Sequence, residues 1–325
     1  MTRHCQENGA GLALRCQEEL AGRRLDHFLE ILLPDMGLRG RRRSIATGAV
    51  LVNGLPGSAR QRLRVGDRVE ILPRRWVFDT AGDELRYLGR RGGCCCFYKP
   101  ARLHTQSLAG GGGASLEALL PSLLRGIPEF TGDVSMPVLL QRLDYGTSGL
   151  VCAACDARTQ AVFRDAEEQG RCEKRYLAVL EGQLTETVLV TNALNTTRRK
   201  RTVVMGDTAE RVRWSEFWPL HFWGLEALPA NLRDFVLDKG ATLAACRIFR
   251  GARHQIRAHA AHMGFPLLGD TLYGSSRHVA DDAGFFLHHG GISFPQARWF
   301  VAPPWTFLPQ QTVPLVTNWL NFVDF

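Results

Sequence analysis

Between Pro73 and Arg91 the sequence loses its hydrophobic period, and this break divides the 325-residue chain into two stretches of different character. From Leu20 to Arg75 there are twelve arginines (Arg23, Arg24, Arg39, Arg41, Arg42, Arg43, Arg60, Arg62, Arg64, Arg68, Arg74, Arg75), no lysine and only five acids (Asp26, Glu30, Asp35, Asp67, Glu70). Nearly all of the chain's formal charge of +8 sits in that segment. Domains usually hold about 100–200 residues, so the length allows one large unit beside a small one. A residue balance of 45% hydrophobic to 22% charged excludes wholesale disorder. The expected organisation is a tail at 1–19, a basic unit at 20–72, a linker at 73–91 and a large domain at 92–325.

The basic unit carries short elements. Leu25, Phe28, Leu29 and Leu32 follow the spacing of one helical face, closed by Pro34. A second helix is expected over Arg41–Thr47, stopped by Gly48. Val50–Val52, Leu63–Val65 and Val69–Leu72 read as strands, with turns at Asn53-Gly54 and Gly66-Asp67. Arginine's planar fork suits bidentate contact with phosphate, which favours a nucleic acid over an inert solvated face. Two helices, the second basic, followed by AVLVNG and VGDRVEIL, resemble an S4 domain, a small α/β RNA-binding module. The resemblance implies that Arg39, Arg41, Arg42 and Arg43 lie on RNA phosphates.

Other features narrow the class. No run approaches the roughly 18 apolar residues of a membrane span, and the N-terminus lacks an exported leader's pattern. Nine cysteines, three of them consecutive (Cys94, Cys95, Cys96), suit a reducing cytoplasm rather than a disulfide framework. Gly110–Gly113 reads as a flexible loop, since no Gly-Lys-Ser or Gly-Lys-Thr follows to make a phosphate loop. The pair Cys152 and Cys155 is weak evidence for a metal or redox protein. Two thiols three apart on a strand would point to opposite faces.

Chemistry concentrates in four segments: YKPARLHTQ (Tyr98–Gln106), QRLDYGTSGLVC (Gln141–Cys152), EKRYLAVLEG (Glu173–Gly182) and FRGARHQIRAHAAHMGFPLLGDTLYG (Phe249–Gly274). Asp144 alone could be a turn aspartate capping its own loop. Its polar loop, however, runs straight into the apolar Leu150-Val151, where binding sites tend to be built. In this order the segments, with FLHHGGISFPQARWFVAPP (Phe286–Pro304), resemble the RluA-type pseudouridine synthases over most of 92–325. The resemblance implies an α+β catalytic domain with a mixed, mainly antiparallel sheet, acting without metal, nucleotide or redox cofactor.

It also implies site roles. Asp144 would be the catalytic carboxylate, as nucleophile or as base. Arg257, in His254-Gln255-Ile256-Arg257, would pair with it; Ile256, Ala260 and Met263 suggest a helix with one face inward. Tyr176, in the K-x-Y-x-A pattern, would stack on the flipped uracil. Arg142 would fill the space the base leaves, and His254 and Gln255 would contact substrate. Two departures from the family pattern, Arg102 in Lys99-Pro100-Ala101-Arg102 and Ala252-Arg253 before His254, put local loop geometry in doubt. The basic run Arg198, Arg199, Lys200 and Arg201 is either an RNA contact or a solvated loop. The expected function is uridine isomerisation in structured RNA, with large-subunit ribosomal RNA ahead of transfer RNA. The rival is a non-catalytic S4-type RNA-binding or ribosome-associated protein. Oligomeric state is left open.

Overall fold

The computed structural model describes residues 13–34, 36–46, 50–53, 55–56, 58–71, 84–108, 114–125, 127–130, 136–197, 200–233, 235, 238–275 and 284–322. Expectations for residues 1–12, for most of the linker, for Gly110–Gly113, for Arg198 and Arg199 and for the side chain of Arg43 lie outside them. The chain forms two compact units, Met1–Asp79 with Ser107–Ala114 and Thr80–Gln106 with Ser115–Phe325.

In the first unit, strands β1 (Ala13–Arg15), β2 (Val50–Val52), β3 (Leu55–Pro56) and β4 (Arg68–Ile71) form an antiparallel sheet in the order β1-β4-β2-β3. Helices α1 (Leu25–Phe28) and α2 (Leu38–Ala46) accompany it. Leu25, Phe28 and Leu29 are fully buried, with Leu63, Val50 and Val69 in the same core. The helical face read from the sequence therefore points inward. The helix itself stops at Phe28, because the Glu30 and Ile31 amides bond back three residues instead of four and tighten the chain well before Pro34. Helix α2 begins three residues earlier than expected.

Three further expectations need correction. Residues 13–19 are not a tail: β1 covers an edge of β4, and Cys16 enters the core with its amide on the Asp67 carbonyl. Leu63–Val65 forms no strand, since Leu63 bonds to the backbone of Gly22 and Arg23 and the chain then turns. The last six residues of the expected linker are strand β5 (Arg86–Arg91), paired with β6 (Cys94–Lys99).

The second unit is built on one large sheet. After β6 come β7 (Val138–Leu139), β8 (Ser148–Ala154), β9 (Glu173–Glu181), β10 (Val188–Val190), β11 (Asn192–Asn195), β12 (Val203–Asp207), β13 (Ser215–Trp223), β14 (Ala241–Ile248), β15 (Leu287–Phe294) and β16 (Ala297–Phe300). The helices are α3 (Leu116–Leu124), α4 (Ala157–Glu168), α5 (Ala230–Arg233), α6 (Gln255–His262) and α7 (Val313–Leu320). The main sheet runs β10-β13-β14-β9-β15-β8-β6-β5, with β16 on β15 and β7 on β8, while β11 and β12 form a separate hairpin. Among the described strand pairings of this sheet only β15–β8 is parallel, so the sheet is mixed and mainly antiparallel in an α+β fold.

Strand β9 lies mid-sheet and is buried from Lys174 to Glu181 rather than in alternation, because both of its faces are covered. One apolar cluster holds Phe163 of α4 with Cys96, Leu150 and Ile292. Another joins Leu177 and Val179 to Leu243 and to Trp319 of α7. Gly149 sits at φ 118° where β8 meets β15, and a Cβ there would lie 2.1 Å from the His289 carbonyl oxygen. Only glycine permits this approach, which ties the start of β8 to the middle of the sheet. Cys152 in β8 points at Cys96 (Sγ–Sγ 3.8 Å), whereas Cys155, just past the strand, points at Cys95 (3.1 Å). The two thiols of the C-x-x-C do not converge.

Candidate active site

Asp144 lies in the loop between β7 and β8, and the segment containing Tyr98–Gln106 clamps it from both sides. The Thr105 hydroxyl donates to the Leu143 carbonyl and accepts from the Leu143 amide, both at 2.9 Å. On the other flank the Arg102 amide donates to the Tyr145 carbonyl at 2.6 Å. Arg102 adopts φ 64°, the left-handed conformation that a glycine would take without strain, so the departure from K-P-A-G leaves this contact in place. The Thr147 amide closes a turn onto the Asp144 carbonyl.

The side chain of Asp144 is 18% exposed, and its Oδ2 accepts from Arg257 Nη1 at 3.1 Å. Arg257 is carried by α6, which is buried on every side from Gln255 to Ala260 rather than along one face; Met263 lies past its end. The rest of the Arg257 guanidinium is held by Asp270, which accepts from Nε at 2.6 Å and Nη2 at 2.8 Å. The Phe285 ring packs 4.2 Å from the guanidinium carbon. Burial works against the arginine's charge, but its bonds and attraction to Asp270 and Asp144 prevail and hold its pKa above the ordinary value.

His254 caps α6 in the left-handed conformation at φ 55°. Its Nε2 is 3.9 Å from Asp144 Oδ1, and its Nδ1 is 3.1 Å from the Tyr273 hydroxyl. Burial lowers its pKa despite the nearby Asp144, so the ring is neutral at pH 7. Gln255, the other expected substrate contact of this motif, borders the same site. Its Oε1 accepts from the Ala252 amide at 2.9 Å and its Nε2 donates to the Arg213 carbonyl at 2.8 Å and to Ser215 Oγ at 3.1 Å. With both polar ends engaged inside the protein, it braces the Gly251–His254 turn.

Tyr176 projects from β9, 6% exposed, its ring stacked on His289 at 4.5 Å and 20°. Burial raises its pKa well above the ordinary value, keeping the phenol protonated. Asp144, Tyr176, His254 and Arg257, although far apart in sequence, line one cavity of about 420 Å³. The exposed Arg142 is at this cavity too, as are Arg164, Arg213, Arg250 and Arg253. Such a wall favours a polyanion.

The sequence reading missed Thr105, Asp270 and a buried pair in the same cavity, Lys174 bonded to Glu167, which also accepts from Arg164 at 3.0 Å. Asp270 stands in the conspicuous Gly-Asp-Thr-Leu-Tyr-Gly run, but nothing in that run names its partner.

In the first unit the expected phosphate contacts divide. Arg39 is exposed and has no ion pair among the described residues. Arg41 is turned inward, its side chain 9% exposed and paired with Glu30 at 3.2 Å. Arg42 donates from Nε to Asp26 Oδ2 at 2.7 Å, while Arg24 grips the same carboxylate with Nε at 3.1 Å and Nη2 at 2.8 Å. Asp26 is fully buried and must be neutralised, which is why Arg42 is drawn to it. Burial tends to raise the Asp26 pKa, but the Arg42 and Arg24 bonds outweigh it and the net shift is downward.

The chain is similar to known proteins. A family model described as RNA pseudouridylate synthase matches residues 94–262, just over half of the chain. The RNA pseudouridine synthase YlyB of Bacillus subtilis is 26% identical over 322 residues, spanning 94% of this chain and 97% of its own. The ribosomal large subunit pseudouridine synthase D of Nitrosomonas europaea is 26% identical over 277 residues, 83% of this chain and 74% of its own. Among solved structures, human RNA pseudouridylate synthase domain containing 4 superposes with a TM-score of 0.50 at 14% identity, covering 70% of this chain and 90% of that one. That likeness speaks to the fold alone.

Proposed function

The chain belongs to the RNA pseudouridylate synthase family, and from that premise we propose that Asp144, Arg257 and Tyr176 isomerise a uridine of large-subunit ribosomal RNA. The choice of RNA is supported by relatives whose names carry that substrate; transfer RNA is the alternative the test must separate. The observation that carries the catalytic reading is the Asp144–Arg257 pair opening onto a cavity walled by Tyr176. Arg257 holds one oxygen of the Asp144 carboxylate and orients it toward the cavity. Asp144 then acts at the sugar or the base while the bond from C1′ to N1 breaks. The freed uracil turns, C1′ joins C5, the hydrogen on C5 leaves as a proton to solvent, and N1, which has lost its bond to the sugar, takes up a proton, so the product is an isomer of the starting uridine.

Reaching that carboxylate requires the nucleotide to leave its stack, at a cost of a few kcal/mol that is smallest in loops. Stacking against Tyr176 offsets about 1–3 kcal/mol of it, and Arg142, exposed at the cavity, occupies the vacated space. In this reading the first unit is an S4-like RNA-gathering module working through exposed arginines such as Arg23, Arg39, Arg60 and Arg64, in the reducing cytoplasm that the cysteine usage suggests. No metal or organic cofactor enters the scheme.

The test is tritium release from uridine-5-tritiated RNA by wild type and by Asp144→Asn. Ribosomal RNA, assembling large subunits and transfer RNA serve as separate substrates. Release by wild type alone, from ribosomal RNA or its particle, supports the reading. Equal release by both proteins removes Asp144 from the chemistry, and RNA binding without release from any substrate returns the chain to the binding-protein rival.

A further inference from the structure

Arg257 faces two carboxylates, and the way its five N–H groups are shared between them is unequal. Asp270 takes the whole side-on fork, Nε at 2.6 Å and Nη2 at 2.8 Å, leaving Nη1 to reach Asp144 Oδ2 at 3.1 Å. Asp144 Oδ1 accepts no hydrogen bond among the described residues, and the neutral His254 ring keeps its Nε2 3.9 Å away. Asp270 does not line the cavity and is only 1% exposed, so it cannot touch RNA. Its own position is fixed by a turn. Its amide donates to the Leu267 carbonyl, and its carbonyl accepts from the Tyr273 and Ser275 amides. The guanidinium plane is confined as well, by the rings of Phe285 at 4.2 Å and Tyr273 at 5.2 Å.

We propose that Asp270 is a positioning residue: by occupying the fork of Arg257 it prevents a bidentate clamp on Asp144 and leaves Oδ1 free to react. A guanidinium with its fork open would close on the nearest carboxylate, since two parallel charge-assisted bonds are stronger than one. Closing on Asp144 would tie up both oxygens. Asp270 thus sets how Asp144 is held as well as where Arg257 sits. This inference rests on the reading of Asp144 as the reacting group.

The test is a double-variant cycle in the full-length protein, with Asp270→Asn, Arg257→Gln and the pair together. It measures single-turnover tritium release, RNA affinity by filter binding, and folding by circular dichroism. Asp270→Asn is expected to slow turnover about a hundredfold, the scale of a small misplacement at a reacting centre, with RNA affinity within about twofold of wild type, the range of additivity error. In the Arg257→Gln background the same change should cost nothing further. If Asp270→Asn fails to fold, the paired variant, whose two amides can bond each other, is compared with Arg257→Gln alone and must match it. A folded Asp270→Asn within about threefold of wild-type turnover overturns the inference alone. So does a further tenfold loss, about 1.4 kcal/mol, in the Arg257→Gln background. Silence of the wild type on every RNA overturns the catalytic reading and this inference with it.

Discussion

Asp26 and Asp144 are both aspartates beside arginine, one in each unit, and they differ in how many N–H groups reach them. Asp26 is fully buried, and three bonds from Arg24 and Arg42 occupy both of its oxygens. Asp144 is partly open and receives one bond from an arginine whose fork is already taken by Asp270. A buried carboxylate with both oxygens engaged holds structure together and has little left to offer a substrate. One held at a single oxygen stays oriented and reactive. The same residue types therefore do opposite work, and the number of donors decides which.

The comparison breaks first at Asp144→Asn. Turnover should fall at least about a thousandfold while RNA affinity and thermal stability stay near wild type. A loss of stability with modest loss of turnover would put Asp144 in the class of Asp26. Acid should act next, and unequally on the two units. Burial pushes His259 and His288 down to about 4 and His289 to about 3, and all three lie in the large unit. Each folded value is below the unfolded one of about 6.5, so the unfolded chain takes the protons first as pH falls. Stability is complete above pH 6.5 and declines toward pH 4, by up to about 1.4 kcal/mol per pH unit for each histidine. Asp26, with its pKa lowered, keeps its contribution until the pH falls below the ordinary carboxylate range. Hydrogen exchange followed by peptide at pH 7, 5.5 and 4.5 should show the large unit opening before the small one, and the reverse order would refute the assignment.

Smaller effects sharpen the contrast. Asp26→Asn should destabilise the first unit by about 1–3 kcal/mol, the scale of losing charge-assisted hydrogen bonds to Arg24 and Arg42. Exchange in its peptides should quicken while single-turnover rates on bound RNA stay unchanged. Arg39→Ala should leave folding intact, weaken RNA binding a few-fold and reduce the slope of log affinity against log salt by about 0.9, one phosphate contact. If Arg41→Ala instead gives that signature, the inward pairing with Glu30 does not describe the protein in solution.

Parts of this were legible before any coordinates. Asp144, Tyr176, His254 and Arg257 stand in short motifs whose residue order survives in one dimension, and they share the cavity. The core face Leu25, Phe28 and Leu29 followed from helical spacing. Strand β1 escaped because three residues leave no period to read. Strand β5, rich in arginine, escaped because edge strands carry charge to discourage further pairing. For Gln255 the motif position says nothing about where its amide hydrogen bonds go, and here they go to Ala252, Arg213 and Ser215.

What the sequence determined by itself is chemistry confined to neighbours along the chain: which residues can ionise or stack, where helices and turns are favoured, and where positive charge accumulates. The tertiary structure decided the pairing. It turned Arg41 toward Glu30 and left Arg39 outside, gave Asp26 two arginines, and set Asp270 against Arg257 so that one N–H remains for Asp144. Hydrogen bonds and ion pairs depend on distance and direction within a few tenths of an ångström, and only the packed chain fixes those.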